Sequence, residues 1–211
     1  RLVSLNFQAQ GDYSKVQITA EQLSEHVYIL YGAGGNMALV TGEQQNYLID
    51  DQFAPLSDKI LFKIKSINDK PLAYVLNTHW HGDHTGGNEN LAKEGALIIA
   101  SDRVYDRLKE GQQSARRTTP PAAPEALPVI SFSDQMHLRY REDAHIHAMH
   151  VNDAHTDGDS FYYFPEENVI HMGDNFSNAK YPFIDLDSGG DIDGLLSNLK
   201  MAQAMLDDES K

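Results

Sequence analysis

Asn77-Thr78-His79-Trp80-His81-Gly82-Asp83-His84-Thr85-Gly86-Gly87-Asn88 decides how the rest of the chain is read. Three histidines and one aspartate fall within six residues, directly after the apolar run at 72–76. Imidazole nitrogen and carboxylate oxygen are first-choice ligands for a borderline divalent cation such as zinc. The i, i+2 spacing of His79 and His81 suits an extended segment, whose alternate side chains share a face. Asp83 continues that parity and His84 leaves it, while Gly82, Gly86 and Gly87 argue against a helix. The stretch therefore reads as a loop leaving a strand. It offers two differently directed pairs, His79/His81 and Asp83/His84, a layout for two adjacent metal ions.

Upstream of this loop, alternating apolar character marks strands at 16–19 and 26–31, and an apolar run at 37–40 and a short stretch at 47–49 read as two more. Residues 1–13 read as a peripheral arm. Gly32-Ala33-Gly34-Gly35-Asn36 joins two of the strands and reads as an ordinary hairpin turn, though such a tip could overhang a site. Ile60, Leu61, Ile64 and Ile67 fall on one face of a helix opened by Pro55 and ended by Asn68, Lys70 and Pro71. Downstream come a short helix at 88–94, a strand at 96–100, and a helix carrying Val104 and Leu108 with Ser101 as its N-cap.

The character changes at 111–128, where Pro120, Pro121, Pro124 and Pro128 fall among alanines. That composition predicts a loop or linker with no core of its own, joining two halves of one domain spanning 1–211. Arg116-Arg117 reads as a solvated turn. Strands follow at 129–132, 136–140, 144–151, 161–164 and 169–172. Asp191 then caps a helix with Ile192, Leu195, Leu196, Leu199 and Ala202 on one face. Strands and helices in each half imply an α+β fold of two sheets packed face to face with helices outside.

The pattern His-x-His-x-Asp-His, in this strand-to-loop context, resembles the central motif of the metallo-β-lactamase superfamily. The resemblance implies a four-layer αβ/βα sandwich with metals at one edge. It implies that His155, in the loop His155-Thr156-Asp157-Gly158-Asp159-Ser160 and 76 residues after His79, completes a first site with His79 and His81. Gly173-Asp174 resembles the family's bridging aspartate, and Asp50-Asp51 its early aspartate that supports the metal loop from behind. An aspartate at 174, in a chain without cysteine, looks more like glyoxalase II and related hydrolases than like the thiolate-bearing lactamase subclasses. Asp83 and His84, with a share of Asp174, would hold the second metal. The family usually adds a last histidine in a Gly-His-Gly-like turn beyond a helix such as 191–206. The chain ends at 207–211 without it, so the expectation is a C-terminal truncation and a weaker second site.

His145 and His147 share a strand face and His150 falls on the other, so these are taken as structural or solvent-facing. His26, His137 and His171 show no partner pattern. Ligands of nitrogen and oxygen only admit two divalent ions, zinc first, with iron or manganese possible.

The implied activity is that of a metal-dependent, β-lactamase-like hydrolase. Hydroxide generated on the metal would cleave an ester, thioester, lactone or cyclic amide, with Asp83 also carrying a proton toward the leaving group. The alternatives are an iron-dependent sulfur or oxygen oxidoreductase of the same fold and a metal-binding protein without turnover. A formal net charge of −14, from 17 basic and 31 acidic residues, argues against nucleic acid and leaves a small-molecule substrate. No apolar run approaches the roughly 20 residues that span a bilayer. A first residue Arg1 with no apolar leader before it suggests a processed or trimmed N-terminus, hence a periplasmic or secreted protein, otherwise a cytoplasmic one.

Overall fold

The computed structural model describes residues 12–114, 118–178 and 180–211, so most of the expected arm and Arg116-Arg117 lie outside the described residues. The chain begins with an antiparallel meander, β1 (Thr19–Gln22), β2 (Val27–Tyr31), β3 (Met37–Thr41) and β4 (Asn46–Ile49). Helix α1 (Ser57–Ile67) then carries it across to β5 (Leu72–Leu76), which pairs parallel with β4. After the histidine loop come α2 (Gly82–Thr85), α3 (Asn88–Lys93) and the parallel strand β6 (Leu97–Ser101). Helix α4 (Asp102–Glu110) follows, capped by the Ser101 hydroxyl, which accepts from the Val104 amide.

The first expected strand sits later than the apolar alternation suggests, at 19–22 rather than 16–19. Lys59 Nζ donates to the carbonyls of Tyr13, Ser14 and Val16 at 2.9, 2.8 and 2.7 Å, so α1 rather than the sheet satisfies that backbone. The proline-rich segment also departs from expectation. It forms a short hairpin of β7 (Gln112–Gln113) and β8 (Thr118–Thr119), then buries Ala126 and packs Ala122 and Leu127 against Trp80 and Leu108. The next strand, β9 (Ile130–Phe132), pairs with β6 and completes the first sheet, in the order β1-β2-β3-β4-β5-β6-β9.

The second sheet is an antiparallel meander of β10 (Gln135–Arg139), β11 (His145–His150), β12 (Ser160–Phe164) and β13 (Val169–His171). Its inward residues Ile146, Ala148, Tyr162 and Phe164 meet Val40, Ile49, Leu76 and Ile99 of the first sheet in one dry layer. The outer face of the first sheet packs Leu39, Leu48, Val75 and Ile98 on Ile60 and Ile64 of α1 and Leu91 of α3. The outer face of the second meets α5 (Ile192–Met205) through Phe161, Ala202 and Met201. Period-2 strands and period-3.6 helices each bury one side, and the result is the four-layer α+β sandwich.

Helix α5 is less apolar toward the protein than its sequence suggests. Leu195, Asn198 and Ala202 are buried, but Ile192 and Leu196 are 53% and 48% exposed. Asn198 takes an inward position because it has partners: its amide donates to the Asn152 carbonyl and to Asn175 Oδ1. Among the described residues no helix is long and apolar enough to cross a membrane.

Candidate metal centre

The histidine loop leaves the C-terminal end of β5, a parallel strand, the position where open α/β sheets place their ligands. Cross-sheet bonds pin it there. Tyr162 Oη donates to the Asn77 carbonyl at 2.8 Å and the Ser160 amide to the Thr78 carbonyl at 2.8 Å. Contrary to the expected extended run, the backbone winds into one helical turn at Gly82–Thr85. The Thr85 amide closes it on the His81 carbonyl, which also accepts from the Thr85 hydroxyl. His81, at the start of this turn, keeps an extended backbone with φ −64° and ψ 149°, while Asp83 and His84 are turned aside by the helix.

His79 Nε2, His81 Nδ1 and His155 Nε2 converge at mutual distances of 3.1, 3.2 and 2.9 Å. The far nitrogen of each ring fixes which atom carries the proton. His155 Nδ1 faces the Phe183 carbonyl at 2.7 Å, an acceptor only, so that nitrogen is protonated. His81 Nε2 donates to Asp185 Oδ2 at 2.9 Å. His79 Nδ1 faces the Thr78 hydroxyl at 3.0 Å, and that hydroxyl donates its own proton to Asp50 Oδ2. Three lone pairs therefore point at one another with no donor between them.

Such a group could hold a metal ion. A tetrahedral zinc with nitrogens at 2.0–2.1 Å sets ligand nitrogens about 3.3 Å apart, close to the observed spacing. Burial, then the neighbouring imidazoles, hold His79 well below the ordinary histidine range. His81 is lowered by burial and His155, against the pull of Asp185. Both are thus held in the neutral form that ligates.

His79, His84 and Asp174 make a second convergent group, with ligand atoms within 4.8 Å of one another. Asp50 accepts the Thr78 amide on Oδ1 at 2.7 Å and faces His84 Nδ1 through Oδ2 at 2.7 Å. The backbone that presents it is unusual, with φ +60° at Asp50 and +55° at Gln52. Non-glycine residues held in the left-handed region cost energy and gather where side chains must be aimed. His84 Nε2 is left buried without an aligned hydrogen bond. Asp174 Oδ1 lies 3.3 Å from it, and Asp174 Oδ2 lies 3.7 Å from His155 Nε2. One carboxylate thus turns an oxygen toward each group. Burial opposes charge on His84, but Asp50 and Asp174 outweigh it and hold the imidazole well above its ordinary range. Burial likewise pushes Asp174 up, and His84, then His155 and His81, bring it down to about 2.

Asp83 stands at the edge, its side chain 37% exposed and Oδ2 3.7 Å from His84 Nε2, outside both convergent groups. The glycine-rich turn does overhang the site. A Cβ on Gly35 would fall 2.2 Å from His84 Cε1, so the chain passes over that ring only as glycine. His171, which shows no partner pattern in the sequence, faces the Asn36 carbonyl through Nε2 at 3.0 Å and accepts from the Gly173 amide. It thereby links this turn to the segment bearing Asp174. Asp51 accepts the Gly87 amide at 2.8 Å and fixes the far end of the loop.

Sequence reasoning missed Asp185, Phe183 and Thr78. His145, His147 and His137 lie away from the centre on the outer face of the second sheet. The His137 and His147 rings stack with centroids 4.4 Å apart, and His145 Nδ1 is 3.1 Å from Glu166.

The profile described as the Metallo-beta-lactamase superfamily matches residues 30–209. An atrochrysone carboxyl ACP thioesterase of Claviceps purpurea is 29% identical over 192 residues, 82% of this chain and 54% of that protein. A hydroxyacylglutathione hydrolase of Pelagibacter ubique is 32% identical over 114 residues, 53% of this chain and 40% of that protein. The chain spans about half the length of the curated relatives it matches. In fold it is similar to a metallo-beta-lactamase from Pontibacter korlensis, with a TM-score of 0.72 and 18% identity over 90% of this chain and 86% of that one. With the profile covering most of the residues, the chain belongs to the metallo-beta-lactamase superfamily.

Proposed function

We propose that this protein is a metal-dependent hydrolase acting on a small acyl ester or thioester. The observation that carries the reading is the convergence of three proton-free imidazole nitrogens beside a carboxylate that faces two groups at once. His79, His81 and His155 would hold one divalent ion, and His84 with Asp174 a second. Zinc fits these ligands, and iron or manganese are compatible with them. When bound, such ions supply Lewis-acid polarisation of a carbonyl and a nucleophile from water at neutral pH. The thioesterase and hydrolase names of relatives near 30% identity favour an acyl substrate.

The chain's own groups do the arranging. Asp50, Thr78, Asp185 and the Phe183 carbonyl keep each imidazole in the tautomer that presents a lone pair inward. Asp174 sits between the two groups. Asp83, exposed at the rim and within 3.7 Å of His84 Nε2, is placed to pass a proton to a departing alkoxide or thiolate.

The test is turnover of nitrocefin, a lactone and a thioester by zinc-loaded and by demetallated protein. Thioester cleavage that needs the metal and is lost in Asp174→Ala, with the fold retained by circular dichroism, is the expected result. No turnover of any of the three by the loaded protein overturns it.

A further inference from the structure

The acceptors that fix two of the three imidazoles of the first group come from one short segment. The Phe183 carbonyl takes the His155 proton and the Asp185 carboxylate takes the His81 proton, two residues apart. Asp185 is itself held by the Ser188 hydroxyl at 2.6 Å, and Ser188 by the side chain of Gln112. Its backbone amide donates to the His155 carbonyl at 2.9 Å. The segment is therefore fastened to the buried histidines by its polar atoms.

Its apolar side chains point the other way. Tyr181 is 98% exposed, Leu186 77% and Phe183 65%, yet the Phe183 ring stands edge-on to His155 with centroids 5.9 Å apart. Three large apolar side chains in six residues, left in water beside an ordered polar centre, are costly unless something covers them.

We propose that residues 181–186 form the platform for the acyl part of the substrate, and that this part is an apolar aryl or alkyl group several carbons long. This rests on the hydrolase reading and adds the substrate class to it. Continuity with the metal groups selects the occupant. The Phe183 ring lies 5.9 Å from the His155 ring, within reach of a substituent on an acyl carbon held beside that histidine, and the segment's carboxylate, Asp185, is turned to His81.

The experiment compares two carboxylates that cannot be hydrolysed, 4-phenylbutyrate and acetate, binding to zinc-loaded protein. They share the same head, so the ratio of their Kd values reports the platform alone. We expect 4-phenylbutyrate to bind about 10-fold tighter or better, the return for covering one ring. The ratio should fall to about 3-fold or less in Phe183→Ala and in Tyr181→Ala/Leu186→Ala. The second variant alters only exposed side chains, so loss of fold cannot imitate the effect. Equal Kd values, or a ratio unchanged in both variants, overturn the proposal. The two readings fail separately. Tight phenylbutyrate binding without turnover of any ester defeats the hydrolase reading alone. Equal kcat/KM for acetyl and phenylbutyryl thioesters, with equal Kd values, defeats the platform alone.

Discussion

Asp50 Oδ2 lies 2.7 Å from His84 Nδ1, and the same oxygen accepts the Thr78 hydroxyl that faces His79. One buried carboxylate thus sets the tautomers of a histidine in each group. Asp50→Asn would place an amide NH₂ among three donors, and at least one of them would lose its acceptor. Bound metal at the His84 group should weaken about 10- to 100-fold, as outer-shell changes do. Competition against a chromophoric chelator measures this, and unchanged affinity would show that Asp50 serves the fold alone.

Asp185 differs because it can be removed without leaving a buried charge. Asp185→Ala frees His81 to rotate or to change tautomer, and the first metal should bind about 10-fold more weakly. Asp185→Asn keeps an acceptor oxygen toward His81 Nε2 and should recover most of the loss. Equal affinity in both variants would remove Asp185 from the set of positioning residues.

Much of this was legible in the sequence because the informative residues are close together. His79, His81 and His84 lie within one loop, and 37–40, 47–49 and 72–76 read as strands because both faces of the first sheet are covered, which makes them short, nearly continuous apolar runs. Asp185 carries no such signal: it is 104 residues from His81 and sits among glycines and aspartates without periodicity. The helical turn at Gly82–Thr85 was hidden because three glycines lower helix propensity, while Thr85, bonding back to His81, closes a single turn regardless. Asn198 misled the reading of α5, since a polar residue is buried wherever Asn152 and Asn175 supply its partners. Whether a glycine turn overhangs a site depends on packing, and Gly35 against His84 is a contact that no local pattern encodes.

Gly173 precedes Asp174 at φ +53°, and a Cβ there would meet Thr78 Cβ and Oγ1 at 2.8 Å. Gly173→Ala adds left-handed strain to a clash with a residue already bound to Asp50. We expect a loss of about 1–3 kcal/mol in urea unfolding of the demetallated protein, and weaker metal binding through the displaced Asp174. An alanine variant as stable as the parent would mean that the turn relaxes freely.

The two groups should also differ in their protons. In demetallated protein His79 and His81 are held below 6.5 and are neutral at pH 7, so neither has to lose a proton before it ligates. His84 is held well above 6.5 by Asp50 and Asp174, so its Nε2 must lose a proton before it can ligate. The sign for folding follows from the same shift. His84 contributes stability that is fully present below its unfolded value near 6.5 and is lost as pH rises through its folded pKa. Asp174, lowered to about 2, contributes stability that is present above 3.8 and lost as pH falls through about 2. Metal added to the second group therefore competes with a stabilising ion pair. Among the described residues the first group has three imidazoles, whereas the second has His84, a share of Asp174 and His79, and Asp83 at its edge. Zinc titration at pH 7 should give one tight step releasing almost no proton and one weaker step releasing about one. Only the second step should weaken about tenfold per pH unit on acidification from neutral. Calorimetry in buffers of different ionisation enthalpy counts these protons directly. Two equally tight steps, or proton release confined to the first, would reverse the assignment of the neutral and protonated imidazoles.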